Sequence, residues 1–96
     1  MNVTLLYFEG CPNWKVVDER LSALSDELGL AVERRLIETP EEAEAAGFRG
    51  SPTILVGGRD PFATGDEPAG LACRIYQTPE GPQGAPTAEQ LRAALV

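Results

Sequence analysis

Two cysteines, Cys11 and Cys73, carry most of the reactive chemistry that this sequence offers. Cys11 follows an apolar run and precedes an amphipathic stretch, so it lies at a predicted junction between a strand and a helix. The free N–H groups and the positive dipole end of a helix N-terminus stabilise a thiolate, which is the reactive form of cysteine. Cys11 is therefore a candidate nucleophile, or a candidate ligand for a soft metal ion.

The composition excludes several other kinds of site. The 96 residues contain no histidine, so neither a Ser-His-Asp nor a Cys-His catalytic site can form within the chain. Two cysteines without histidine also cannot close a four-ligand zinc site. The acidic residues Asp60, Asp66 and Glu67 lack the spacing of a calcium-binding loop. We therefore expect no metal site and no cofactor.

The charge balance bears on partners and location. Fifteen acidic and eight basic residues give a net charge of −7, which disfavours binding to nucleic acid or to anionic membranes. No apolar run approaches the roughly 20 residues that span a bilayer, and no secretory signal is recognisable. We expect a single domain over residues 1–96, a monomer, located in the cytoplasm where thiols are mostly reduced.

The apolar pattern predicts four strands and three helices around these cysteines. The strands are predicted over residues 3–8, 30–37, 53–56 and 71–77. The helices are predicted over residues 12–28, 40–46 and 88–95. Thr39 and Thr87 are the expected N-caps of the second and third helices, and Gly57 and Gly58 form a tight turn. The order β-α-β-α-β-β-α predicts an α/β fold, with a mixed four-stranded sheet flanked by three helices.

Two motifs in this order carry a family resemblance. A Cys-Pro dipeptide follows the first strand, and Ser51, Pro52 and Thr53 begin the third. With this element order, the chain resembles the thioredoxin-like superfamily, and particularly its small bacterial members of glutaredoxin length. The resemblance covers nearly the whole chain and implies a thioredoxin-like fold. It also implies that Cys11 is the nucleophile and that Pro52 forms a cis peptide bond in a loop facing it. The alternative for Pro52 is a trans proline that begins a strand.

Trp14 marks a departure from the family pattern, because dithiol members carry a second cysteine at this position. A mixed disulfide on Cys11 therefore needs another route of release. A small external thiol such as glutathione or mycothiol could resolve it, Cys73 could resolve it, or redox activity is absent. Trp14 itself either begins the apolar stripe of the first helix or shields the thiol and stacks on a substrate.

Cys73 has two interpretations that the sequence leaves open. It shares a face of the predicted fourth strand with Leu71 and Ile75, so strand parity favours a position in the core. The alternative is a resolving thiol or a second metal ligand. The acidic loop over residues 60–67 is likewise either a solvated connection, or a lid or a partner-docking strip.

These residues lead to three hypotheses for the function. The first is a thioredoxin-like, monothiol-type thiol-disulfide oxidoreductase with Cys11 as nucleophile. Its substrate would be a thiol or disulfide, contacted by Pro12, Trp14, Ser51, Pro52 and Thr53. The second is a soft-metal or organomercurial thiol-binding protein that uses Cys11, with or without Cys73. The third is a redox-inactive interaction domain that retains only the fold.

Overall fold

The first strand, β1 (Asn2–Tyr7), lies at the centre of the main sheet in the computed structural model, which describes residues 2–63 and 70–95. β2 (Ala31–Leu36) pairs with it in parallel, and β4 (Thr53–Val56) pairs with it on the other side in antiparallel orientation. The strand order is therefore β2-β1-β4. This central position explains the nearly continuous apolar run of β1, because both faces of the strand are covered.

Each face of β1 contributes to a different hydrophobic cluster. Val3 and Leu5 belong to the larger cluster, whereas Leu6 belongs to a smaller cluster on the opposite face. The helices α1 (Trp14–Leu28) and α3 (Ala88–Leu95) supply side chains to the larger cluster. The helix α2 (Pro40–Ala46) contributes Ala43 to the smaller one. The sheet is thus covered by helices on both faces, in a mixed α/β arrangement with three helices in the described residues.

The ends of the helices follow local sequence signals. The Thr39 hydroxyl oxygen accepts a hydrogen bond from the Glu42 N–H at 3.1 Å, and the Thr87 hydroxyl oxygen accepts one from the Gln90 N–H at the same distance. Gln90 completes a capping box, since its side-chain oxygen accepts from the Thr87 N–H at 2.9 Å. α1 ends at Gly29, whose positive φ of 68° is the left-handed conformation that glycine adopts without strain. The predicted second and third helices and their caps are therefore confirmed.

The predicted continuous fourth strand over residues 71–77 is wrong. The chain instead forms two short strands, β5 (Gly70–Cys73) and β6 (Tyr76–Thr78). β5 pairs in parallel with β3 (Arg49–Ser51), and β6 pairs with β7 (Gly81–Gln83) in antiparallel orientation. Among the described residues the main sheet therefore has three strands, accompanied by two separate strand pairs.

Arg74 is the physical reason why the other face of this segment is buried. Its side chain turns inward and is buried, whereas Leu71 and Ile75 are 37% and 61% exposed. The face of the segment that was expected to be apolar and buried therefore points outward. The Gly57-Gly58 turn does form, with the Val56 N–H donating to the Arg59 carbonyl at 2.7 Å. It leads directly to Asp60, and Asp60 is the partner of Arg74.

Candidate functional site

Cys11 and Cys73 are joined by a disulfide bond. The bond links residues 62 positions apart in the sequence, and their Cα atoms are 5.8 Å apart, within the range usual for disulfides. It connects the loop after β1 to the end of β5. Of the two sequence interpretations of Cys73, a core position is wrong, because the residue is exposed at the surface. This arrangement suits thiol-disulfide exchange, in which the bond between the two sulfurs forms and breaks reversibly.

Cys11 lies beneath the surface at the end of a tight turn. Its N–H donates to the Phe8 carbonyl at 3.3 Å, and the residue is 0% exposed. α1 begins only at Trp14, with Asn13 as its N-cap residue, so Cys11 and Pro12 precede the helix rather than forming its first turn. The Cys11 Sγ lies 3.6 Å from the Ser51 carbonyl oxygen, which is close enough for a reduced thiol to donate a weak hydrogen bond there.

The loop around Pro52 lies directly against this sulfur. The Ser51-Pro52 peptide bond is cis, the geometry that the resemblance implied. Ser51, Pro52 and Thr53 are all buried, so these three of the five residues expected to contact substrate are covered in this oxidised form. The Thr53 hydroxyl donates to the Gly50 carbonyl at 2.6 Å and accepts from the Arg49 N–H at 3.3 Å. Its observed contacts therefore shape the loop.

The segment that covers the Pro52 loop is β5 and the residue after it. Ser51 and Cys73 are register partners in the β3-β5 pair. The Ser51 carbonyl accepts a hydrogen bond from the Arg74 N–H at 3.0 Å, while it also contacts the Cys11 sulfur. One backbone carbonyl thus aligns both cysteine-bearing segments, and this explains how two distant cysteines come within bonding distance.

A buried ion pair between Arg74 and Asp60 holds the segment that carries Cys73. Arg74 Nη1 lies 2.6 Å from Asp60 Oδ2, and the two side chains are 4% and 9% exposed. Asp60 is itself held in place, because its Oδ1 accepts from the Phe62 N–H at 2.9 Å. Buried charges are tolerated when they are paired and hydrogen-bonded, as these are. The ion pair therefore fixes the residue next to Cys73.

Tyr76 joins this anchor to the Pro52 loop. Its hydroxyl donates to the Pro52 carbonyl at 2.5 Å. The Arg74 guanidinium carbon lies 4.6 Å from the Tyr76 ring centroid, and the Phe62 ring packs edge-on against the same ring at 5.4 Å. We call Asp60, Phe62, Arg74 and Tyr76 the clamp, because together they hold the Cys73 segment against the Pro52 loop.

Sequence reasoning missed the clamp. Asp60 falls in the predicted acidic loop, and Arg74 and Tyr76 fall in the predicted fourth strand. The sequence does hold one signal, because Arg74 is the only charged residue in the segment 70–78. That signal identifies no partner, because Asp60 is 14 residues away and is only one of several nearby acids.

The other predicted site residues, Pro12 and Trp14, follow Cys11 in the sequence. Pro12 is exposed, and Trp14 is half-buried. The Trp14 ring stacks on Tyr7, with centroids 4.2 Å apart, and packs against the larger hydrophobic cluster. The interpretation of Trp14 as the start of the apolar stripe of α1 is thus confirmed. Its stacking on a substrate stays a prediction.

An open cleft adjoins the same region. Its volume is about 230 Å³, and its lining includes Phe8 and Gly10 before Cys11 and Leu71 before Cys73. The exposed Glu9 and Glu38 also line it, so the cleft combines an apolar floor with negative charge. A substrate thiol that approaches the disulfide from this side would meet both features.

Within residues 2–63 and 70–95, no group of three or more histidine, cysteine, aspartate or glutamate residues is placed to hold a metal ion. Asp66 and Glu67, which belong to the acidic loop predicted as a lid, lie outside the described residues.

Within residues 2–63 and 70–95, none of the helices has both the length and the apolar character that a membrane crossing requires.

Comparison with known proteins adds no assignment. No protein-family model matches the chain, and no curated protein matches it.

Proposed function

We propose that this protein is a thiol-disulfide oxidoreductase whose redox pair is Cys11 and Cys73. The observation that carries the proposal is the bond between two cysteines 62 residues apart, held at a Cα separation of 5.8 Å. In the reduced form, the two thiols would give two electrons and two protons to a substrate disulfide. The substrate would leave as two thiols, and the protein would return to the disulfide form through a mixed disulfide.

The pairing favours one of the routes that the sequence left open. A monothiol enzyme with Cys11 alone would need an external thiol to release its mixed disulfide. With Cys73 next to Cys11, the second thiol is supplied by the chain itself. The absence of a cysteine at position 14 is then no obstacle, because the resolving thiol comes from β5 rather than from α1.

The arrangement also supports a thioredoxin-like assignment as part of the proposal. A cysteine follows the first strand, and a cis proline loop contacts its sulfur. The proposed location is the cytoplasm, as the sequence suggested. In that compartment disulfides are rare, and those that occur usually take part in catalysis or redox sensing. A bond between the only two cysteines fits such a role.

A redox titration tests the proposal. The protein is equilibrated with reduced and oxidised dithiothreitol in varied ratios, and free thiols are counted by mass after alkylation. We expect one transition in which both cysteines change together as a two-electron couple. The exposed variant Ala72→Ser, next to Cys73 on β5, is the matched control and should titrate like the wild type. A disulfide that never forms, or two cysteines that titrate independently, would contradict the proposal.

Soft-metal binding is a second candidate, and the same closeness of the two sulfurs favours it. Two neighbouring thiolates suit the linear, two-coordinate geometry of a soft ion such as Hg²⁺ or Cu⁺. The reduced protein should then bind one ion per chain and lose this stoichiometric binding in both Cys11→Ser and Cys73→Ser. A metal carrier would show this binding without any turnover of a disulfide substrate, whereas an oxidoreductase would show turnover.

A further inference from the structure

Resting on the proposed function, we propose that Cys73 is the sulfur that exchanges with external thiols and disulfides. Cys11 stays inside the protein and serves as the leaving group and the resolving thiol. This reverses the roles that the sequence suggested, in which Cys11 attacks the substrate.

The accessibility of the two cysteines carries the assignment. Cys11 is 0% exposed, whereas Cys73 is exposed, as are Leu71 and Ala72 before it on β5. An incoming thiolate must reach the sulfur that it attacks, and it must approach opposite the leaving sulfur. Attack on the Cys11 sulfur would require the Pro52 loop or β5 to move away first. Attack on the Cys73 sulfur would come from the exposed side of β5.

The clamp explains why Cys73 stays in place after the disulfide opens. Arg74 is fixed by its backbone bond to Ser51 and by its ion pair with Asp60, and neither contact involves a sulfur. The exposed thiol of Cys73 therefore remains above Cys11 during the exchange. It is available to a substrate on one side and to Cys11 on the other.

The reaction balances in both directions. In reduction of the protein, a substrate thiolate attacks the Cys73 sulfur, a new S–S bond forms, and the Cys11-Cys73 bond breaks. The electron pair leaves on the Cys11 sulfur, which takes a proton from solvent and is positioned to donate to the Ser51 carbonyl. A second substrate thiolate then attacks the substrate sulfur of the mixed disulfide. The substrate leaves as a disulfide, and Cys73 is released as a thiolate.

In the opposite direction the Cys73 thiolate attacks a substrate disulfide and releases one substrate thiolate. The Cys11 thiolate then attacks the Cys73 sulfur of the mixed disulfide. The second substrate thiolate leaves, and the internal disulfide is restored. Cys11 therefore never bonds to the substrate in either direction.

Selective labelling of the reduced wild-type protein tests the assignment. The protein is treated with less than one equivalent of N-ethylmaleimide, quenched in acid and digested with pepsin, and the labelled cysteine is mapped by mass. We expect Cys73 to carry about tenfold more label than Cys11, since exposure controls thiol reactivity. Equal labelling, or preference for Cys11, would overturn the assignment.

The single-cysteine variants provide the second measurement. Reduced Cys11→Ser, which retains Cys73, should form a stable mixed disulfide with a small aromatic disulfide about tenfold faster than Cys73→Ser. Faster reaction of Cys73→Ser would overturn the assignment even if the labelling result were ambiguous. If wild-type protein exchanges no disulfide at all, the proposed function fails. If it exchanges disulfides through Cys11, only the division of roles fails.

Discussion

At the scale of single residues, the ion pair between Arg74 and Asp60 controls the position of Cys73. Both side chains are almost completely shielded from water. Such a pair contributes little net stability compared with apolar residues, but loss of one partner leaves an uncompensated buried charge. The ion pair instead fixes the position of Arg74, and Arg74 directly follows Cys73, the cysteine that must face Cys11.

Asp60→Asn should therefore lower stability more than an ordinary surface change does. Asparagine keeps the size of the side chain and an oxygen for the Phe62 N–H, but it removes the charge that Arg74 needs. We expect the free energy of unfolding to fall by about 3 kcal/mol, measured by urea denaturation of the oxidised protein. Asp26→Asn, at an exposed position on α1, is the control and should change it by less than about 0.5 kcal/mol. Equal effects of the two substitutions would show that the ion pair does not hold the segment.

Sequence reasoning located Cys11 and Pro52, but it misjudged Cys73. Strand parity predicts a core position for Cys73 only if the strand is continuous and its apolar side chains point inward. Arg74 breaks that assumption by turning inward to Asp60, so Leu71, Cys73 and Ile75 face outward. Arg74 and Asp60 are 14 residues apart and meet only in the folded chain. No periodic pattern in the sequence therefore predicts their pairing.

At the scale of elements, β1 and the helices were predictable because their signals are local. The apolar run of β1, the capping threonines of α2 and α3, and Gly29 after α1 each specify their element within a few residues. The pairing of β3 with β5 has no such signal. It depends on a cis peptide loop, a buried carbonyl and the clamp, which come from three distant parts of the chain.

The clamp should hold β5 in place in both redox states. The Arg74 N–H donates to the Ser51 carbonyl, so its hydrogen exchange reports directly on this contact. In the reduced wild type we expect this amide to remain protected. In reduced Asp60→Asn its exchange should be about tenfold faster or more, because local opening of β5 costs less free energy. Exchange is measured by NMR, with the Leu91 N–H of α3, which donates to Thr87, as an internal reference. Loss of protection in the reduced wild type would mean that the disulfide alone holds β5.

At the scale of the whole molecule, the disulfide closes a long loop around a small core. It joins the loop after β1 to β5, across 62 residues that include α1, β2, α2 and β4. Closing a loop of this length reduces the conformational freedom of the unfolded chain considerably. The redox state of the pair should therefore change the stability of the entire domain.

Reduction should lower the free energy of unfolding by about 4 kcal/mol, the amount that chain-entropy arguments give for a loop of this size. The measurement is urea denaturation with and without an excess of reductant. Cys11→Ser and Cys73→Ser should resemble the reduced wild type and be insensitive to the reductant. An oxidised protein no more stable than its reduced form would contradict this stabilisation by loop closure.

Turnover of a small disulfide substrate tests the Cys11-Cys73 redox pair most directly. The protein is present in catalytic amounts, and dithiothreitol is the electron source. We expect the wild type and Ala72→Ser to accelerate the reaction equally. Cys73→Ser should lose about 100-fold in rate because it lacks the attacking sulfur, whereas Cys11→Ser should turn over only as fast as dithiothreitol releases its mixed disulfide. Full turnover by Cys73→Ser would contradict the Cys11-Cys73 redox pair, because Cys11 would then act alone with an external thiol. Absence of turnover by the wild type would contradict an oxidoreductase altogether.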